Sequence, residues 1–254
     1  ATIFISERED GMFGPDAWLV GDMNGDGMSE LAVSEPLARK IYVLFGGPVP
    51  KGEVVIQDLI GEGRGFVIED CPTVRCELTA GDCPNVSVVL TGDLNGDGLQ
   101  DFGVLQWEEG IEYAGVPYLV STVAFVLGAE SFPSAVSYGS LPRLHGRIPP
   151  NNGVQSEVYT VRNVGDVDGE GYDDIAIETM CWPDPELPES GYFYAWDIFF
   201  GREAFAAETS INAELTTGGA VELFSATGTI WPRVDGVGDQ NGDGKADLII
   251  SVAT

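Results

Sequence analysis

The chain has 254 residues, 44% of them hydrophobic and 10% aromatic, and a formal net charge of −29 at pH 7. That apolar content can build a sizeable core and excludes low-hydrophobicity disorder, and no apolar run reaches the roughly 18 residues a membrane helix needs. A charge of this sign and size repels phosphate backbones and anionic lipid, so no nucleic acid and no membrane insertion is expected.

In chain order, residues 1–6 (ATIFIS) read as a strand. Four acidic segments come next: GDMNGDGMSE at 21–30, GDLNGDGLQD at 92–101, GDVDGEGYDD at 165–174 and GDQNGDGKAD at 238–247. Their first aspartates fall at 22, 93, 166 and 239, in steps of 71, 73 and 73 residues. Such even spacing means one supersecondary unit copied along the chain. Each segment follows a short apolar stretch (18–20, 87–90, 158–161 and, more weakly, 233–237) and precedes another (31–33, 102–105, 175–177, 248–250). A third run ends in Gly in three units: IYVLFG at 41–46, VAFVLG at 123–128 and AWDIFFG at 195–201. Short β-branched and aromatic runs bounded by Gly, Pro or Asp argue for strands. A fourth strand per unit is expected at 53–57, 135–138 and 210–215, and no segment pairs helical periodicity with caps. Four short antiparallel strands per repeat, repeated radially, predict an all-β chain built as a β-propeller. It would form one domain over 1–254, with units at about 7–58, 87–138, 158–215 and 231–254 plus the N-terminal strand 1–6.

Counted from its first Asp, each acidic segment has oxygen side chains at positions 1, 3, 5 and 9. These are Asp22, Asn24, Asp26 and Glu30; Asp93, Asn95, Asp97 and Asp101; Asp166, Asp168, Glu170 and Asp174; Asp239, Asn241, Asp243 and Asp247. Glycines at positions 4 and 6 permit the positive φ that so tight a turn requires. With the main-chain carbonyl of position 7 (Met28, Leu99, Tyr172, Lys245), hard oxygen donors can surround one ion per loop, which suits Ca²⁺, up to four ions in all. Asn-Gly and Asp-Gly also close ordinary hairpins. Four copies with the same acidic positions favour the ion, and the Lys245 ammonium is expected to point outward. An EF-hand or dockerin loop would need a carboxylate at position 12. Val33, Val104, Ile177 and Ile250 stand there instead, and the flanks are not helical.

Asp-x-Asn-Gly-Asp-Gly-x-x-Asp followed by an apolar strand resembles the FG-GAP repeat of integrin-α-like β-propellers. Phe13-Gly14 looks like that family's Phe-Gly, and Ser34-Glu35-Pro36 stands where its Gly-Ala-Pro would fall. The resemblance implies blades with calcium in the loop joining the first and second strands. It departs in three places: only the first unit has Phe-Gly ahead of its acidic segment, none has an intact Gly-Ala-Pro, and the third loop carries Glu170 where Asp is usual.

Cys71, Cys76, Cys83 and Cys181 are even in number and too few in histidine company for zinc, so two disulfides in an oxidising, extracellular compartment are expected, with one bridge to Cys181 feasible. The start at Ala1 fits a mature secreted chain. Long loops at 59–86, 107–118, 141–152 and 178–191 would lie opposite the acidic loops. Their aromatics, with the basic cluster Arg143, His145 and Arg147, suggest a protein or glycan ligand. No catalytic motif appears: there is no Gly-x-Ser-x-Gly, no second histidine and no phosphate loop. The expected function is therefore a non-catalytic, secreted or cell-surface binding module. The alternative is a fibre or matrix subunit self-associating by strand exchange: the last unit lacks two strands, so 1–6 could complete it within the chain, two copies could share one seven-bladed ring, or 1–6 could insert into a neighbouring chain and propagate a fibre.

Overall fold

The computed structural model describes residues 2–7, 13–72, 86–109, 119–146, 156–181, 193–227 and 231–253. Eighteen strands, two short α-helices and two 3-10 turns make up the described elements. Strand β1 (Thr2–Ile5) precedes the first unit, which contains β2 (Ala17–Gly21), β3 (Glu30–Glu35), β4 (Lys40–Leu44), β5 (Gly52–Val55), helix α1 (Ile56–Gly61) and β6 (Gly65–Glu69). The second unit contains β7 (Ser87–Gly92), β8 (Asp101–Glu109), β9 (Leu119–Val126), β10 (Ala135–Ser137), a 3-10 turn and β11 (Arg143–His145). In the third come β12 (Ser156–Gly165), β13 (Asp174–Cys181), β14 (Phe193–Phe199), β15 (Glu208–Ser210), helix α2 (Ile211–Thr217) and β16 (Ala220–Thr227). The fourth has β17 (Trp231–Gly238) and β18 (Asp247–Ala253).

The chain is all-β, and its sheets repeat one pattern. In each of the first three units four strands pair antiparallel in sequence order: β2-β3-β4-β6, β7-β8-β9-β11 and β12-β13-β14-β16. The fourth strand is not where the sequence spacing puts it. Of the segments expected there, 53–57 splits into a short strand and a helical turn, 135–138 into a strand and the start of a 3-10 turn, and 210–215 is helical beyond Ser210, which ends β15. Each short strand leaves its own unit and adds in parallel to the outer strand of the unit before: β10 on β6, β15 on β11, and β5 on β1. By this rule β1 occupies an outer-strand place of its own and does not lie on β18. The antiparallel fourth strands are Gly65–Glu69, Arg143–His145 and Ala220–Thr227, the first two inside stretches that read as loops. The helices are also a correction. Helix α2 has a Ser210 N-cap, whose hydroxyl accepts the Ala213 N–H, and a left-handed Gly218 C-cap.

Why the third run of each unit is apolar at successive positions is explained by burial on both faces. In β4, Ile41 and Val43 face a core shared with Phe102, Val104 and Ala124 of the second unit. Tyr42 and Leu44 face the opposite way, towards Ile56, Leu59 and Phe4. A second core joins Val123, Phe125 and Leu144 to Ile175, Ile177 and Phe199 of the third unit. A smaller one holds Trp196, Ile198 and Val164 against Val234. Neighbouring units thus stack face to face, and β12 packs between β7 and β17.

At the last junction the approach is closest at Gly236, where an added Cβ would lie 2.6 Å from the Val164 backbone. Gly236→Ala should therefore push β17 off β12 at a cost of about 1–3 kcal/mol. Native-state hydrogen exchange of the Leu248–Ser251 amides should speed up while that of β4 stays unchanged; equal protection in both would show that the gap can yield.

Candidate cation-binding loops

All four acidic segments join the first and second strands of their units, and all four hairpins carry the same bulge just before the loop. Pairing slips between Leu19 and Gly21, Leu90 and Gly92, Asn163 and Gly165, and Gly236 and Gly238. A bulge bends a strand and re-aims the residues beyond it. The glycine that closes it has a positive φ (+88°, +81°, +73° and +69°), so the Gly heading each GD dipeptide is as much part of the motif as those at positions 4 and 6.

Inside the loop the first Asp organises the backbone. Asp22 Oδ1 accepts the Gly25 N–H at 2.7 Å and the Asp26 N–H at 3.1 Å, and its Oδ2 accepts the Gly27 N–H at 2.8 Å. The same three bonds recur for Asp93, Asp166 and Asp239. At position 3 the side-chain oxygens of Asn24, Asn95, Asp168 and Asn241 accept the N–H of position 5. Asp26, Asp97 and Asp243 in turn accept the N–H of position 7, carried by Met28, Leu99 and Lys245. Each position-9 carboxylate is a clip between elements. Glu30 accepts the Met23 N–H at 2.5 Å and the Gly46 N–H at 3.3 Å; Asp101 accepts those of Leu94 and Gly128, and Asp174 those of Val167 and Gly201. Those glycines end the third apolar run, so position 9 ties the loop to strand three of its own sheet. Asp247, in the fourth unit, holds Gln240 N–H and the Asn241 amide instead.

The lone pairs left over decide what the loop can hold. An ionised carboxylate has about four acceptor sites. Three N–H groups fill Oδ1 of the first Asp and half of Oδ2, leaving one site; position 9 keeps one on each oxygen. Ligand oxygens of Asp22, Asp26 and Glu30, and of Asp166, Asp168 and Asp174, lie within 4.8 Å of one another. In the third loop Glu170 is outside that group, and Asp168 takes the place. None of the ion pairs among the described residues involves a loop carboxylate. The Lys245 ammonium does not point outward: it donates to the Asp168 carbonyl oxygen of the third loop. Crowded, oxygen-only, uncompensated donors fit a hard divalent cation.

Burial sharpens the imbalance. Glu30 and Asp101 are fully buried and Asp174 nearly so. Desolvation pushes the Asp101 carboxyl up to about 7, against the pull of the Gly128 and Leu94 N–H groups. The Asp174 carboxyl is raised to about 6 by the same cause, and Glu30 upward too. Asp239, in the exposed fourth loop, is held below its ordinary value by the Gly244 N–H.

Other expected features fall differently. Phe13 packs edge-on against Tyr42, and Glu35 is buried, accepting from Ser6 and Tyr42 hydroxyls. Cys71 is a free, buried thiol next to the Ile68 carbonyl rather than half of a disulfide. Within the basic cluster Arg143 is paired with Glu208, and His145 Nδ1 lies 3.3 Å from the Thr122 hydroxyl. Cys76, Cys83, Arg147 and most of the long loops lie outside the described residues, as does the Cys181 side chain.

Fold and loops together define an all-β chain with four acidic turns, two of which gather carboxylates that could hold a metal ion. No protein-family model matches it. Integrin alpha-4 of Xenopus laevis is 26% identical over 163 residues, covering 61% of this chain, which spans only 13% of that relative's length. The similarity is compatible with an integrin-like, adhesion-type protein.

The raised carboxyls set a pH trend. A carboxyl whose pKa is higher folded than unfolded stabilises below its unfolded value, about 4, and loses that contribution as pH rises through 6 to 7. In chelator the melting temperature should fall between pH 5 and 7.5, and Asp101→Asn should flatten the fall. A melt that rises over this range, or an unaltered slope in the variant, would contradict the assignment.

Proposed function

We propose that the chain is a calcium-stabilised β-propeller, four blades in sequence with the last incomplete, acting outside the cell as a non-catalytic binding module for a protein or glycan. The observation that carries this reading is the recurrence of one aspartate cradle in four loops at the same end of successive sheets. The parallel addition of each short strand to the preceding unit, and the stacking of β7, β12 and β17, support a radial arrangement. The position-1, 3, 5 and 9 oxygens would hold one Ca²⁺ per loop, together with the carbonyls of Met28, Leu99, Tyr172 and Lys245. The ion would supply the positive charge that the buried Glu30, Asp101 and Asp174 lack. The similarity to integrin alpha-4 supports adhesion at the cell surface over catalysis. Ligand contact is assigned to the loops at the strand ends remote from the acidic turns, after β3, β8 and β13.

Extracellular calcium modules bind at about 0.1–1 mM. With sites of about 0.2 mM in about 2 mM calcium, each contributes about 1.4 kcal/mol of stability. Chelation should lower the melting temperature by several degrees, and an unchanged melt in chelator rejects structural calcium. Screening the calcium-loaded protein against glycans and matrix proteins then tests the binding role, with capture lost in chelator as the expected result.

A second reading, a subunit assembled by strand exchange, draws on the exposure of Ile249 and Ile250 on β18. Light scattering in millimolar calcium separates the two. A mass near 27.0 kDa supports the monomeric module, a doubled mass a shared propeller, and a growing one the fibre.

A further inference from the structure

Adjacent acidic loops are joined by a path of two peptide groups, and the path is the same at all three junctions. From the second loop to the first, the Gln100 N–H donates to the Asp22 carbonyl oxygen at 2.9 Å. The N–H of that same Asp22–Met23 peptide donates to Glu30 Oε2 at 2.5 Å. From the third to the second, Asp173 N–H reaches Asp93 O at 2.8 Å and Leu94 N–H reaches Asp101 Oδ2 at 2.8 Å. From the fourth to the third, Ala246 N–H reaches Asp166 O at 2.6 Å and Val167 N–H reaches Asp174 Oδ2 at 2.8 Å.

The two ends of each path are what matter. The leading N–H belongs to the peptide whose carbonyl, at Leu99, Tyr172 or Lys245, is the position-7 oxygen assigned above to the ion. The last acceptor is the position-9 carboxylate assigned to the preceding loop's ion. Hydrogen-bonded peptides in series polarise one another, so drawing charge from the first carbonyl strengthens every donor down to that carboxylate and draws charge from the carboxylate itself, which weakens it as a cation ligand. Side chains hold the register. Leu99 lies over Gly25, the Tyr172 ring over Gly96 and the Lys245 stem over Gly169, so each position-7 residue covers the turn of the loop before it.

We propose that the four loops load with negative cooperativity, filling of one loop lowering the affinity of the loop before it and, by reciprocity, of the loop after it. This rests on the calcium reading, which the test must be able to fail separately. Each loop carries its own reporter: the N–H of Gly27, Gly98, Gly171 or Gly244, donating to the first Asp at 2.8 Å. Calcium titration followed by amide NMR of these glycines yields four midpoints.

Residues 239–245 of the fourth loop are exposed, so Asp243→Ala should remove its site with little risk to the fold. The Gly171 midpoint should then fall about fivefold or more, with a smaller fall at Gly98, two junctions away. Asp168→Ala, read at Gly244, should give the same factor and serves if the first variant misfolds. Midpoints that stay put in both variants, or rise, overturn the coupling while calcium binding stands. If no glycine responds to calcium in the unaltered chain, the calcium reading fails, and the coupling with it.

Discussion

A carboxylate that gathers three backbone N–H groups from the residues just after it is the constraint on which the rest of this structure depends. Bonds to an ionised acceptor are about twice as strong as neutral ones. Once the first Asp captures the N–H groups of positions 4, 5 and 6, the chain must wrap around it, and the wrap places glycine at 4 and 6. The glycine that closes the bulge then lets the strand enter at the required angle. Position 9 returns as the first residue of the next strand, where it can clip the loop to the end of strand three. Loop, bulge and hairpin register are thus one solution, not three.

That solution leaves a debt of charge. The geometry that satisfies the N–H groups also brings carboxylates together, and in three units one of them is buried. A protein with 41 acidic and 12 basic side chains has few cations to spare, and the ion pairs among the described residues lie elsewhere, between strands and at helix ends. Arg202, for example, is committed to Glu214 and the Phe199 ring, fixing helix α2 to its sheet.

The repeat, the strands flanking each loop and the oxygen positions were legible in the sequence because each is a local pattern. Outer strands were not. Val67 and Ile68 look no different from loop residues until their partners, Tyr42 and Ile41, are known, and strand 143–145 is only three residues long. The segments read as fourth strands misled because 53–55 and 135–137 do pair, but in parallel with β1 and β6, while 210–215 is helix beyond Ser210, whose cap and the Gly218 stop were signals passed over. Position 8 was invisible for another reason. Gln100, Asp173 and Ala246 share no side-chain chemistry, and what they share is a backbone N–H aimed at the next loop. Lys245 was misjudged similarly, since its destination lies 77 residues away.

The joint between loops has its two halves in every unit: a carbonyl at the first Asp that receives, and an N–H seven residues later that gives. A duplicated unit therefore arrives already able to dock at either end of the row, with no new contact to invent. Only the residue at position 7 must suit its neighbour's turn, and Leu, Tyr and Lys all do. Gene duplication could lengthen such a chain one unit at a time, with selection free to reshape the distant loops while the joint copies itself.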